Sequence, residues 1–260
     1  MIDVHFHCLP GIDDGPEDWA EAVALCRAAA SEGTRTIVAT PHVLRGGWVN
    51  GDPETRDALV LKLNSMLGGT PAILSGCEYF LSSDAVELVE RGRWGPLTTL
   101  NRGRYLLIEF PAGEMLPGTR DIFHELSVLG VTPVVAHPER NRLFAEEPGR
   151  LEDLIERGAV AQLTAGSLLG DFGALALAAS TEFLRRGLVQ LVASDAHSLE
   201  ARPPRLAAAR ARVRADWGAV AELGIFESNP RALIESEPLP WTAAGSRAGR
   251  GARSPEGSIP

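Results

Sequence analysis

Short runs that are apolar on both faces alternate along the chain with longer stretches of helical periodicity. The runs predict strands at residues 2–5 (IDVH), 34–40 (TRTIVAT), within 71–80 (PAILSGCEYF), and at 105–110 (YLLIEF), 132–137 (TPVVAH), 159–165 (AVAQLTA) and 188–194 (LVQLVAS). Between them, helical patterns cover 17–32, 53–67, 118–130, 149–158, 174–187 and 203–216, with a short last helix at 229–235. Pro16 suits the first turn of the 17–32 helix and Gly33 its end. Strands without polar alternation belong to a parallel sheet covered by helices on its faces. About seven such units predict an α/β fold closed, or nearly closed, into a barrel. A doubly wound open sheet is the alternative. Residues 1–241 read as one domain. Residues 242–260 (TAAGSRAGRGARSPEGSIP) hold hardly a large apolar side chain and read as a disordered tail.

Composition narrows this picture. The chain has 260 residues and 45% hydrophobic content, ample for one large core. No apolar run reaches bilayer-spanning length, so no integral membrane segment is expected. No basic-then-apolar leader opens the sequence, which predicts no secretory signal. The net charge is −9; setting aside Arg247, Arg250, Arg253 and Glu256 leaves 22 bases against 33 acids, a body at −11. Such a surface repels phosphate backbones and argues against a nucleic-acid partner. Three cysteines, Cys8, Cys26 and Cys77, form no paired spacing and read as core thiols of a protein in a reducing, cytoplasmic compartment.

The chemistry gathers at strand ends. His5 and His7 close the first strand, His42 follows TIVAT, His137 follows PVVA and His197 follows LVASDA. Glu78, Glu109 and Asp195 sit at equivalent points, and Asp13 and Asp14 follow the first strand closely. In a parallel barrel all strand C-termini open on one face, so these side chains should meet. Imidazoles with carboxylates suit zinc, manganese or iron. His5 and His7, two apart in an extended strand, point the same way and can grip one ion. Five imidazoles with four carboxylates exceed one ion's needs, so two or three ions are expected. Each residue alone also has a plainer reading. Glu78 could be a surface or capping acid, Glu109 a structural acid paired with an arginine, and His42 a satisfied loop histidine. His124, within a helix, is expected to face solvent.

The motifs DVHFH, GIDDGP, ATPH, GCE, EFP, AHPERN and SDAH resemble the polymerase and histidinol phosphatase (PHP) superfamily. Their order and wording are similar to the bacterial manganese-dependent tyrosine-protein phosphatases of capsule and exopolysaccharide gene clusters, the CpsB/CapC/YwqE type. The resemblance runs from Asp3 to about Pro204, and NPRALIE at 229–235 extends it. It implies a distorted TIM-like (β/α)7 barrel of the PHP type with a three-metal centre, manganese foremost and iron or zinc as alternatives. Carried over residue by residue, it implies His5, His7, Asp14, His42, Glu78, Glu109, His137, Asp195 and His197 as metal ligands. It also implies that Arg140 and Arg202 bind the substrate phosphate and serve catalysis. Asp13 is left to cap or orient the loop before the first helix. Where many relatives read TPHH, this chain has Val43, so His42 must be the ligand. The loop 43–52, with Arg45 and Trp48, is expected to be mobile and to form the substrate mouth.

These readings predict phosphomonoester hydrolysis, with water activated by metal attacking phosphorus in line. Arginine suits phosphate because its planar fork holds two oxygens; for Arg202 a surface arginine before a helix remains the plainer reading. The expected substrate is the phosphotyrosine tail of a membrane-associated tyrosine autokinase. A cysteine phosphatase, which needs an arginine six residues after its thiolate, is excluded: those positions hold Asp14, Glu32 and Ser83. The alternatives are a small-molecule phosphatase acting on histidinol phosphate, a nuclease, and a metal-binding regulatory module without turnover.

Overall fold

The computed structural model describes residues 1–91 and 97–242. The predicted tail therefore lies, from residue 243 on, outside the described residues. In chain order the elements are β1 (Ile2–Phe6), α1 (Trp19–Ser31), β2 (Thr36–Ala39), β3 (His42–Val43), α2 (Pro53–Leu67), β4 (Ala72–Ser75), β5 (Glu78–Phe80) and α3 (Ala85–Glu90). Then come β6 (Tyr105–Glu109), α4 (Thr119–Val128), β7 (Thr132–Ala136), α5 (Arg142–Glu146), α6 (Pro148–Glu156), β8 (Val160–Thr164), α7 (Ala165–Leu169) and α8 (Gly173–Arg186). The last are β9 (Leu191–Ala193), α9 (Leu206–Trp217), α10 (Ala219–Leu223) and α11 (Asn229–Ile234).

Every strand pairing is parallel. The strands form a three-stranded sheet, β1-β2-β4, and a six-stranded sheet, β3-β5-β6-β7-β8-β9. The mixed α/β character is as expected, but the barrel is corrected: the ladder does not close. Among the described residues there are nine strands in two sheets, because two runs read as single strands each break in two. Between β2 and β3 stand Thr40 and Pro41, and Pro41 has no N–H to extend the ladder. Between β4 and β5 the chain turns through Gly76, where a Cβ would lie 2.9 Å from Val38 Cγ1 and 3.3 Å from the Ala39 carbonyl. Only glycine lets the backbone pass that close.

Both faces of the strands are buried, which is why their sequences lack alternation. On β6, Tyr105 and Leu107 join one apolar cluster while Leu106 and Ile108 join another. The first of these draws Ile2 and Val4 from β1, Val38 from β2, Val134 and Ala136 from β7, Val160 from β8 and Leu191 and Ala193 from β9. The two sheets thus share one interior, with Leu100 and Leu233 packed into it.

At one end the first and last strands meet directly. Asp195 N donates to His5 O and His7 N donates to Ala196 O, both at 2.9 Å. Helix bounds follow local caps. Asp18 accepts from the backbone N–H groups of Ala20 and Glu21, so α1 begins at Trp19 and Pro16 lies before it rather than in its first turn. α2 spans the predicted 53–67, with Asp52 as N-cap, Pro53 in the first turn and a left-handed Gly68 at its end. α9 begins at Leu206, not 203, because Pro203 and Pro204 precede it. No helix among the described residues is long and apolar enough to cross a membrane.

Candidate metal centre

All nine residues expected as ligands meet at the strand ends. Their donor atoms fall into four groups, each within 4.8 Å: His7, Asp14, His42 and His197; His5, His137 and Asp195; His5, His7 and Glu78; His42, Glu78 and Glu109. The groups share members, so this is one continuous cluster. Glu78 sits at its middle. Its carboxylate lies 2.8 Å from His137 Nε2, 2.8 Å from His42 Nδ1, and 3.4 Å from both His5 Nε2 and His7 Nε2. Eight of the nine residues are buried. Asp14 is the exception at 36% side-chain exposure, and it closes the open side against His42 and His197, each at 3.2 Å.

The fold delivers these side chains from separate strands. His5 lies within β1 and His7 just past its end. His42 and Glu78 open the paired strands β3 and β5 in register. Glu109 ends β6, His137 follows β7, and Asp195 and His197 follow β9. His137 and Asp195 have positive φ angles of 31° and 54°, a backbone that non-glycine residues adopt at a cost. The surrounding structure holds that strain where these two side chains turn into the cluster.

Several buried atoms of the cluster have close neighbours but no aligned hydrogen bond: His42 Nδ1, Glu78 Oε2, Asp195 Oδ1 and His197 Nε2. Buried polar atoms are ordinarily satisfied. Lone pairs converging without hydrogen-bond alignment are what a shared cation requires. The tautomers agree. His5 Nδ1 bonds Gln162 Oε1 and His7 Nδ1 bonds Asp13 Oδ2, both at 2.8 Å. Those acceptors call for a proton on Nδ1, which leaves each Nε2 lone pair facing the cluster, the two only 3.1 Å apart. The donors are all nitrogen and oxygen, a set that fits a borderline or hard divalent ion.

The charges are strongly perturbed. Burial disfavours a proton on His5, but the Glu78 and Asp195 carboxylates outweigh it and lift its pKa to about 9. His42 is likewise opposed by burial and raised to about 10 by Asp14 and Glu78. His137 falls to about 4 through burial and the Arg140 guanidinium, and His197 to about 4 through burial and His7. Burial and the charge of Glu78 push Glu109 up to about 7. Asp195, though buried, is held well below the carboxylate range by His5, Arg202 and Arg140.

Arg140 and Arg202 flank the cluster. Both guanidinium groups pair with Asp195 Oδ2, Arg202 at 2.5 Å. Their side chains are 22% and 23% exposed, so each keeps an edge toward solvent. The buried Nε of Arg202 has no hydrogen-bond partner. Glu109 also takes its plainer role, since Arg45 Nε lies 2.7 Å from its Oε2. The loop after β3 turns tightly, with Arg45 and Trp48 exchanging backbone hydrogen bonds of 3.1 and 3.0 Å. Trp48 stacks on His42 with centroids 5.3 Å apart.

His124 is exposed on α4, away from the cluster. The three cysteines are buried and free, with Cys77 between strands rather than inside one. The Cys26 thiol and burial both raise Cys8, the opposite of what a nucleophilic thiolate needs. Sequence reasoning missed Gln162, although its signal was present: one polar residue inside an otherwise apolar strand. Asp13 has a larger role than loop capping. It holds the His7 ring and accepts from the His42 backbone N–H at 3.2 Å.

A family model described as capsular polysaccharide synthesis, CpsB/CapC, matches residues 1–235. The tyrosine-protein phosphatase YwqE of Bacillus subtilis is 39% identical over 205 residues, covering 78% of this chain and 79% of that protein. The tyrosine-protein phosphatase CpsB of Streptococcus pneumoniae is 32% identical over 244 residues, covering 90% and 98%. A crystal structure from work on YwqE of Bacillus subtilis and CpsB of Streptococcus pneumoniae, described as unique metal-dependent tyrosine phosphatases, superposes with a TM-score of 0.87 at 35% identity, covering 93% of this chain and 97% of the other.

Proposed function

The chain belongs to the CpsB/CapC family of capsular polysaccharide synthesis, and from that premise we propose that its clustered histidines and carboxylates are the working centre of its phosphatase activity. The protein is a metal-dependent tyrosine-protein phosphatase, as its relatives are. The observation that carries the assignment to this site is the convergence of nine residues with nitrogen and oxygen donors, in four overlapping groups beside two arginines.

In this reading His5, His7, Asp14, His42, Glu78, Glu109, His137, Asp195 and His197 hold two or three divalent ions, manganese foremost and iron or zinc as alternatives. When bound, such ions supply Lewis acidity that makes water acidic near neutral pH and neutralises phosphoryl oxygens. Glu78, at the middle of the cluster, would be the carboxylate nearest to most of the other donors. Gln162 and Asp13 hold the His5 and His7 rings in the ligating tautomer. Arg140 and Arg202 grip the equatorial phosphoryl oxygens, with Arg202 Nε as a donor in reserve. Asp195 aims one oxygen at the histidines and the other at the arginines, so it ties the two halves together. A tyrosine leaving group departs as a phenolate whose conjugate acid has a pKa of about 10, so little help from a general acid is needed.

Residues 1–241 are taken as one phosphatase domain. The substrate is read as the phosphotyrosine tail of a membrane-associated tyrosine kinase, reached from the cytoplasm. The acidic surface of the body speaks against nucleic acid as substrate. The test is phosphate release from a phosphotyrosine peptide by the purified protein with manganese, with chelator, and with His197→Ala. Release that needs metal and collapses in the variant supports the reading. Faster turnover of histidinol phosphate than of the peptide would overturn the substrate class.

A further inference from the structure

We propose that Phe172 forms one wall of the substrate mouth and selects aryl over alkyl phosphate monoesters by packing against the ring of the leaving group. The inference rests on the phosphatase reading of the site and adds a specificity-determining residue to it. The Phe172 ring lies beneath both phosphate-binding arginines, with Arg140 Cζ 4.7 Å and Arg202 Cζ 5.9 Å from its centroid. The residue is still 37% exposed. In this proposal a phosphate seated on these two guanidinium groups carries its ester substituent past the open part of that ring.

The ring is held in place. It packs on Gly166 of α7, where a Cβ would come within 2.9 Å of Phe172 Cε2. Any larger residue there would push the ring off the arginines. Asp171, next in the chain, pairs with Arg205 at 2.8 and 2.9 Å. That pair fastens the Phe172 turn to the segment carrying Arg202. Asp171 N also donates to Gly166 O at 2.9 Å. The turn therefore presents a large apolar side chain, partly open to solvent, at a fixed place beneath two cations. An aromatic leaving group gains from offset or edge contact with such a ring, and a short alkyl group has no ring to offer.

Competitive inhibition separates the ring contact from the phosphate contact. Turnover of a phosphotyrosine peptide by the manganese-loaded protein is measured against phenylphosphonate and against inorganic phosphate. Phe172→Ala and Phe172→Leu are expected to weaken phenylphosphonate about tenfold while moving inorganic phosphate less than twofold. Phe172→Tyr should keep the wild-type ratio. Equal weakening of both inhibitors would overturn the proposal, because Phe172 would then only steady the arginines. No change in either would overturn it as well. Absence of peptide turnover by the wild-type protein would instead bring down the phosphatase reading, a distinct result.

Discussion

Glu78 touches four of the five clustered histidines, His5, His7, His42 and His137. Replacing it by Gln keeps the volume and removes the charge that the cluster is built around. Glu78→Gln is expected to lower kcat/KM on a phosphotyrosine peptide at least about 100-fold and to weaken metal binding, read by calorimetric titration. Gln162→Leu removes the acceptor that orients His5 and, with it, the amide that donates to Leu163 O at 2.7 Å. It should weaken metal affinity by about 10–100-fold while leaving the fold intact by circular dichroism. Protonation gives a third outcome. In the metal-free protein His5 and His42 hold protons up to about pH 9 and 10. Their contribution to stability is complete below the unfolded value of about 6.5 and is lost as pH rises through the folded values. Metal must displace these protons, so affinity should climb between pH 7 and 9 with net proton release. Titration in buffers of different ionisation enthalpy reads that release; an affinity flat across this range would contradict it.

Among the elements, the loop between β3 and α2 acts as a clamp on two ligand segments. The Asn50 amide donates to Ile12 O and to His42 O, both at 2.8 Å. Arg56, buried on α2, donates to Asn50 O and, at 2.7 Å, to the Thr98 hydroxyl. Asn50→Ala leaves those carbonyls unpaired and should cost about 1–3 kcal/mol in chemical denaturation. It should also loosen the side of the cluster built from Asp14 and His42, seen as weaker binding of one ion in a stepwise titration. None of this clamp was legible in the sequence, because an asparagine in a polar loop looks like any turn residue. The convergence of these side chains was legible, because histidines that end continuous apolar runs are expected at the ends of buried strands, which a parallel sheet brings to one side. Element edges were less so. Asp18, not Pro16, sets the start of α1, and the choice depends on which side chain reaches the free N–H groups. The broken ladder was hidden as well, since ATPH and SGCE read as smooth ends of strands until Pro41 and Gly76 are seen to divide them. Phe172 carried no signal, as a single aromatic residue beside a glycine is common on surfaces.

For the molecule as a whole, the proposed ligands would tie the beginning of the chain to its last third. His5 lies in β1 and His7 just past its end, whereas Asp195 and His197 follow β9; among the described residues these segments are joined by two backbone hydrogen bonds of 2.9 Å and by Ser194 N donating to Asp3 Oδ1 at 3.0 Å. Ions held between them should therefore stabilise the whole fold. Chelator is expected to lower Tm by roughly 5–10 °C, and manganese at about 100 times its dissociation constant to restore it. Differential scanning fluorimetry reads this directly, and an unchanged Tm would mean that the closure stands without metal. The same arrangement sets a clock on biosynthesis. A nascent chain that has emerged only as far as β8 already carries His5, His7, Asp14, His42, Glu78, Glu109 and His137, but neither Asp195 nor Arg202. Phosphatase activity should thus switch on only after Arg202 has left the ribosome, so products terminated before Asp195 would be inert toward a phosphotyrosine peptide.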